Sequence, residues 1–447
     1  MNKTSVSWLS LSALLLGQAT CALTPLRAGT SDTPVALGKD SNVSDSGFDR
    51  QRFTMTFDTR FGYDDNTLGQ PDSFTTLITN PVTGKQSLVT TDVDTSDSAF
   101  FNFSLGVGYT VATPRLSLTL GADIGVNYYF DRPGRSYDVN GGLSGRLSYK
   151  LSPRAFLDVS TYNAYESQGD YGATDLTNFG GQFGGSGRTP GTTANRDGDY
   201  FYTTDRVGLT YQFAPRVSAV FSDTLVAFAY DSDLYSTVQD RIENYTGIEG
   251  QYLLLPNLSL AATYRFGYVD YFGVNNDSQT HFLLGGFDYS VNQRLHASVR
   301  AGVEFRSYFD TVGDETSPYA EASVTYTLGR TSTIGLSTRY GIEEGDLATF
   351  NTPADTFRIG LDYSQGLTAR ISAYVGAYYT HSFFNTPTTN NAGSFTENTY
   401  DVSLGARYAI NRHVSAEVGY THTTFDSDLA DRSYDRNRYF AGVRLSF

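Results

Sequence analysis

Residues 100–130 read FFNFSLGVGYTVATPRLSLTLGADIGVNYYF. In the first half, Phe101, Phe103, Leu105, Val107, Tyr109 and Val111 alternate with Asn102, Ser104, Gly106, Gly108 and Thr110. After the turn at 113–115, Leu116, Leu118, Leu120, Ala122, Ile124, Val126 and Tyr128 alternate with Ser117, Thr119, Gly121, Asp123, Gly125 and Asn127. Successive side chains of a strand point to opposite faces, so this is a hairpin with one apolar and one polar face. Strands of soluble sandwiches run about five or six residues and pack their large side chains into a core. These strands are twice as long, and their second face is too small and polar to fill a core. It can line water while the apolar face meets lipid. From Leu116 to Tyr128 the strand covers roughly 40 Å at ~3.3 Å per residue. A tilt of ~40° leaves about 30 Å of height, enough to cross an apolar band of ~25 Å.

The hairpin is a unit that recurs. YQFAPRVSAV (211–220), YKLSPRAFLDVS (149–160), YLLLPNLSLAATY (252–264), YSVNQRLHASVR (289–300) and YAINRHVSAEVGY (408–420) repeat its turn, each announced by a tyrosine. Eighteen strands are predicted, at about 51–62, 99–112, 115–130, 137–151, 154–167, 200–213, 216–230, 241–254, 257–272, 279–291, 294–309, 317–328, 331–343, 354–366, 369–383, 396–410, 413–425 and 436–447. Eight connections are very short: TPR, SPR, APR, LPN, NQR, GR, QGLT and NRH. The others are longer and polar, notably 63–98 and 168–199. Short periplasmic turns alternating with long external loops indicate an all-β fold, a transmembrane antiparallel up-and-down β-barrel of about 18 strands, with 16 as the alternative. The tyrosines Tyr109, Tyr149, Tyr211, Tyr252, Tyr289, Tyr326, Tyr363 and Tyr408 fall on the outward parity just before the short turns. They are expected to form the periplasmic aromatic girdle, ring bodies in lipid and hydroxyls among headgroups.

The amino terminus reads as a signal peptide over residues 1–28, with Lys3 ahead of the apolar run VSWLSLSALLLG (6–17) and cleavage between 20 and 28. A short polar periplasmic tail, 29–50, leads into the barrel at 51–447. Cys21 is the only cysteine, so the exported chain has no disulfide framework or cysteine metal site. The formal charge is −15, and removing 1–28 takes away Lys3 and Arg27 but no acid. A binder of phosphate backbones needs a basic face, so nucleic acid is not an expected partner.

The chain ends in YFAGVRLSF (439–447), alternating outward through Tyr439, Ala441, Val443 and Leu445 to a terminal Phe447. Gly442, Leu445 and Phe447 resemble the assembly signal of bacterial outer-membrane proteins, although Phe440 stands where that pattern carries a polar residue. With the signal peptide and the strands, the chain resembles the putative β-barrel porin families of Gram-negative bacteria, most of all the second such family, some of whose members are encoded beside exopolysaccharide genes. The resemblance implies a cell outer-membrane location and recognition by the barrel-assembly machinery, with lipid and lipopolysaccharide as surroundings.

No G-x-S-x-G elbow, H-E-x-x-H pair or P-loop is present, and His281, His296, His381, His413 and His422 are scattered. No catalytic residue, cofactor or metal site is expected, and the protein is not expected to be an enzyme. Following the alternation inward gives the pore-lining candidates Asp58, Arg60, Asp123, Arg146, Asp158, Arg206, Glu249, Arg265, Arg300, Glu304, Arg306, Glu321, Arg339, Arg358, Asp362, Arg407, Glu417 and Arg444. They could pair across neighbouring strands as a hydrated wall, or face one another as ladders of opposite sign that orient polar solutes. The glycine-rich segment 168–199 could enter the pore as a constriction or lie outside it. Acidic loops 63–98 and 426–435 are expected to be solvated, with cation bridging to lipopolysaccharide the alternative. Since roughly sixteen to eighteen strands leave an aqueous channel, the expected function is passive diffusion of small hydrophilic solutes. The alternatives are a barrel for exopolysaccharide export or secretion and a structural or adhesive barrel with a closed lumen.

Overall fold

In the computed structural model, the structure describes residues 50–71, 73–79, 86–92, 96–167, 199–292, 294–309, 313–329, 331–344, 353–385, 394–429 and 432–447. The expected signal peptide, nearly all of the tail and the segment 168–198 lie outside the described residues. The strands are β1 (Arg50–Asp64), β2 (Ser73–Thr79), β3 (Gln86–Asp92), β4 (Ser98–Ala112), β5 (Leu116–Tyr129), β6 (Tyr137–Ser152) and β7 (Ala155–Ser167). They continue with β8 (Asp199–Ala214), β9 (Val217–Tyr230), β10 (Arg241–Leu255), β11 (Leu258–Tyr271), β12 (Ser278–Asn292) and β13 (Leu295–Tyr308). The last seven are β14 (Asp314–Leu328), β15 (Ser332–Glu343), β16 (Ala354–Gly366), β17 (Ile371–Phe384), β18 (Phe395–Ala409), β19 (Val414–Ser427) and β20 (Tyr434–Ser446).

β1 and β4 to β20 form one 18-stranded sheet, every neighbour antiparallel to the next. β1 pairs with β4 on one side and β20 on the other, so the sheet closes on itself. Closure runs to the last residue, because the Phe447 amide donates to the Met55 carbonyl at 2.9 Å and the Met55 amide donates back at 3.0 Å. A closed antiparallel ring leaves no strand edge unpaired, which a lipid-embedded sheet requires. Among the described residues no helix is long and apolar enough to cross a membrane. The crossing falls to the strands.

Register preserves the alternation around the ring. Phe53, Phe57 and Phe61 of β1 stand opposite Tyr109, Leu105 and Phe101 of β4, all on the outward face. Phe53, Phe61, Ile124, Leu143, Leu283 and Val418 are among many large apolar side chains left exposed there. The short turns have a common chemistry. Thr113 Oγ1 accepts the Leu116 amide at 2.9 Å, and Thr368 Oγ1 accepts that of Ile371 at 2.9 Å. Asn292 Oδ1 takes the Arg294 and Leu295 amides, while Asn411 Oδ1 takes those of His413 and Val414. A Ser, Thr or Asn at the turn's first position thus satisfies amides that the reversal frees.

Two elements were not legible as structure in the sequence. The loop expected over 63–98 carries the hairpin β2–β3. A short helix, α1 (Asp233–Gln239), sits between β9 and β10.

Candidate functional site: the inner face of the barrel

Inner and outer faces can be told apart by which side chains reach over intervening strands, because only a concave surface brings non-neighbours together. Arg300 on β13 donates to Glu249 on β10 at 2.8 Å and to Asp288 on β12 at 2.8 Å. Arg265 on β11 meets Glu321 on β14 at 3.4 Å, and Arg60 on β1 meets Glu417 on β19 at 2.7 Å. Each of these residues belongs to the polar parity of its strand, which is therefore the inner face.

Most of the predicted residues are paired there. Arg444 donates to Asp58 at 2.5 Å, and Arg407 adds a second contact to Glu417 at 3.4 Å. Arg306 reaches Glu344 at 2.5 Å, while Arg358 and Arg339 both engage Glu343. Glu304 accepts the Ile342 amide at 2.5 Å. Asp362 accepts the Tyr378 hydroxyl, Asp158 accepts that of Ser148 at 2.6 Å, and Arg206 is half-buried on β8. The sequence reading missed Arg241, Glu243, Glu343, Glu344, Asp64 and Arg436, which join the same network. Arg241 pairs with Glu243 at 2.9 Å with both side chains fully buried, and Arg436 pairs with Asp64 at 2.5 Å. Pairing with neighbours on the same wall, not ladders facing across the lumen, is the dominant arrangement.

Aromatic rings share this inner face, which the alternation alone did not reveal. Tyr200, Tyr202, Val226, Phe228 and Tyr230 form one buried cluster, and Tyr245, Phe282, Leu284 and Tyr319 form another. Guanidinium groups cover several rings: Arg438 lies 4.2 Å from the Phe100 centroid, Arg241 4.3 Å from Phe228 and Arg60 4.8 Å from Phe440. Inward glycines make the room. A Cβ on Gly405 would overlap the Tyr374 ring, and one on Gly419 would overlap Phe440. That explains how the aromatic at 440 fits the terminal strand.

The wall formed by β4 to β6 is different. Ser117, Thr119 and Asp123 point inward and stay exposed, although they stand inside a closed ring. Asp123 and Arg146 have no hydrogen-bond or ion-pair partner among the described residues. The inner face is therefore open along the short-turn halves of β4 to β6, the open arc, and packed at the long-loop ends of the same strands, where Phe100, Asn127, Tyr129 and Asp138 are buried.

The remaining sequence candidates lie at the ends of the strands. Tyr149, Tyr211, Tyr252 and Tyr408 are exposed on the outer face, and Tyr109, Tyr289, Tyr326 and Tyr363 are partly covered there. Leu445 and Phe447 point outward, and Phe447 stacks on His413 with centroids 5.6 Å apart. A Cβ on Gly442 would press on Arg60 and the Thr59 carbonyl. His281, His381 and His422 hydrogen-bond to Tyr264, Asn398 and Asn437, toward the long-loop end, and His296 meets Ser290. The acids of the two loops are partly occupied by the protein itself. Asp64 binds Arg436, Asp65 accepts the Asn437 amide at 2.6 Å, and Asp428 accepts both the amide and the hydroxyl of Thr396. Hydrogen bonds from Thr396 hold the Asp428 carboxyl below its ordinary range. Among the described residues no group of three or more His, Cys, Asp or Glu is arranged to hold a metal ion.

Comparison with known proteins bears on this geometry. Residues 354–447 match the family described as Putative beta-barrel porin 2. OpdK of Pseudomonas aeruginosa, crystallised with vanillate, is 13% identical, covering 88% of this chain and 98% of its own, with a TM-score of 0.42. OccAB4 of Acinetobacter baumannii is 12% identical over 88% of this chain and 98% of its own, at 0.38. OccK5 (OpdH) of P. aeruginosa is 13% identical over the same shares, 88% and 98%, at 0.41. At these scores the likeness transfers no property to this chain. No curated protein matches it. The family match spans β16 to β20, the strands that complete the ring and close it on β1, in a chain whose fold is a closed eighteen-stranded antiparallel β-barrel.

Proposed function

We propose that the barrel is a porin-like channel through which small hydrophilic solutes diffuse passively, without chemistry on what passes. The observation that carries this reading is the set of inner side chains, Ser117, Thr119 and Asp123, that remain exposed inside a closed eighteen-stranded ring. Water and solute follow this open arc. The free charges Asp123 and Arg146 border it, and the paired charges of the opposite arc hold the barrel's shape. Selection then works by size and by the local field of unpaired groups.

Two further roles complete the proposal. The eight outward tyrosines before the short turns act as the girdle at the periplasmic interface. Gly442, Leu445 and Phe447 are read by the barrel-assembly machinery as the chain inserts among lipid and lipopolysaccharide. Recording in planar bilayers tests the channel directly. Steady conductance is expected; silence that persists after deletion of 168–199 would rule it out. If the protein stayed soluble without detergent and showed no heat-dependent gel shift, the membrane barrel itself would be refuted.

A further inference from the structure

Among the described residues, outward carboxylates stand at mid-height in one place only. On β8 and β9, Asp205 and Asp223 fall on the outward parity, beside the exposed Val207 and Phe221. Asp205 lies six residues from Tyr211 at the short-turn end and six from Asp199 at the other, so it is at the middle of its strand. Asp223 stands six residues into β9. Thr161 and Asn163 of β7, Thr203 of β8, and Asn244 and Thr246 of β10 surround them on the same face. These groups are bonded together. Thr246 donates to Asp223 at 2.7 Å, Asn244 donates to it at 3.3 Å, and Thr203 donates to Asn163 at 3.0 Å.

Other outward acids, such as Asp270, Asp426 and Asp435, stand at or next to the long-loop ends of their strands. Among the described residues no Lys or Arg side chain is on the outward face of any strand. A carboxylate facing lipid destabilises a barrel most at the bilayer midplane and least near the interfaces. Two carboxylates at mid-height therefore need a polar cover, and one is available. The patch holds acceptors in Asp205 and Asp223 and donors in the Asn and Thr side chains, so it complements itself. The remainder of the belt offers no Lys or Arg to pair with these carboxylates, which disfavours a head-to-tail ring and favours an isologous contact. Next to the patch, sharing Asn163, the outer wall has a groove of about 380 Å³ over Ala122 and Gly141, flanked by Ile124, Leu143 and Tyr165. Small residues let another wall approach closely.

We propose that this face is the contact between two copies of the chain, related by a two-fold axis through the centre of the patch. The proposal takes the outer face as lipid-facing. Leu225 marks the axis, since it is the register partner of both Asp205 and Asn244.

The test is disulfide crosslinking in outer membranes, on a Cys21→Ser background. Leu225→Cys should give an oxidised band of twice the chain mass, and Leu361→Cys, exposed on distant β16, should give none. Adding Asp205→Leu and Asp223→Leu to the Leu225→Cys chain should abolish the band while the heat-dependent gel shift persists, separating lost contact from lost folding. The proposal is overturned if Leu225→Cys stays monomeric, links to a different protein, or links no better than Leu361→Cys. A heat-dependent gel shift in that same sample would show that the barrel stands even where the contact does not.

Discussion

The two arcs of the inner face use one alternating pattern for opposite ends. Over the short-turn halves of β4 to β6 the inward positions are Ser, Thr and Gly with the isolated charges Asp123 and Arg146, and they leave space. Along much of β10 to β20 and β1 the same parity carries Arg, Glu and aromatics that bury one another, as Arg241, Glu243 and Glu304 do, while Asp362 and Ser364 near a short turn stay exposed. The comparison teaches that strand count alone does not set the bore of a barrel. Where guanidinium groups bridge carboxylates and cover rings, a lumen wall becomes a core. Removing one member of such a buried pair leaves an uncompensated charge, whereas a lone charge on the open arc has water beside it.

The contrast can be broken most forcefully at Arg300. Arg300→Ala strands Glu249 and Asp288, and should lower folding stability by about 3–5 kcal/mol in a urea titration of the detergent- or lipid-folded barrel. A loss no larger than that of a surface substitution would mean that the arc is hydrated and not packed. Next come the inward glycines. Gly405→Ala forces Tyr374 from its seat and should cost about 1–3 kcal/mol, as overpacking does. Gly125→Ala on the open arc meets Ser104 and the Phe103 carbonyl at ordinary contact distances and should stay within about 0.5 kcal/mol. Equal losses at the two sites would erase the distinction.

Smaller in stability but sharper in function are the free charges. Asp123→Asn should leave the urea midpoint unchanged and shift the reversal potential in a salt gradient toward anions, and Arg146→Ser should shift it toward cations. The slightest effect is expected at the turns. Asn411→Ala removes the acceptor of the His413 and Val414 amides, which water partly replaces, and should cost about 0.5–1 kcal/mol without altering conductance.

Much of this was legible in the sequence because alternation and turn chemistry are local. Every barrel strand was placed to within about three residues. The rest depends on closure. That Arg300 would reach Glu249 across two intervening strands follows only once the sheet curves into a ring. Aromatic runs such as Tyr128–Phe130 and Tyr200–Tyr202 put rings on both faces, and alternation cannot say that the inward ones pack together. The outward Asp205 and Asp223 were visible as residues. Their departure from the apolar belt shows only in the register.

Passage of solute along the open arc is what the barrel is proposed to permit. It is tested most directly by recording single channels of Asp123→Cys, in a Cys21→Ser background, before and after a charged methanethiosulfonate reagent. A steady open current should drop in steps as the thiol is modified. An unchanged current from protein that mass spectrometry shows to be fully modified would contradict it.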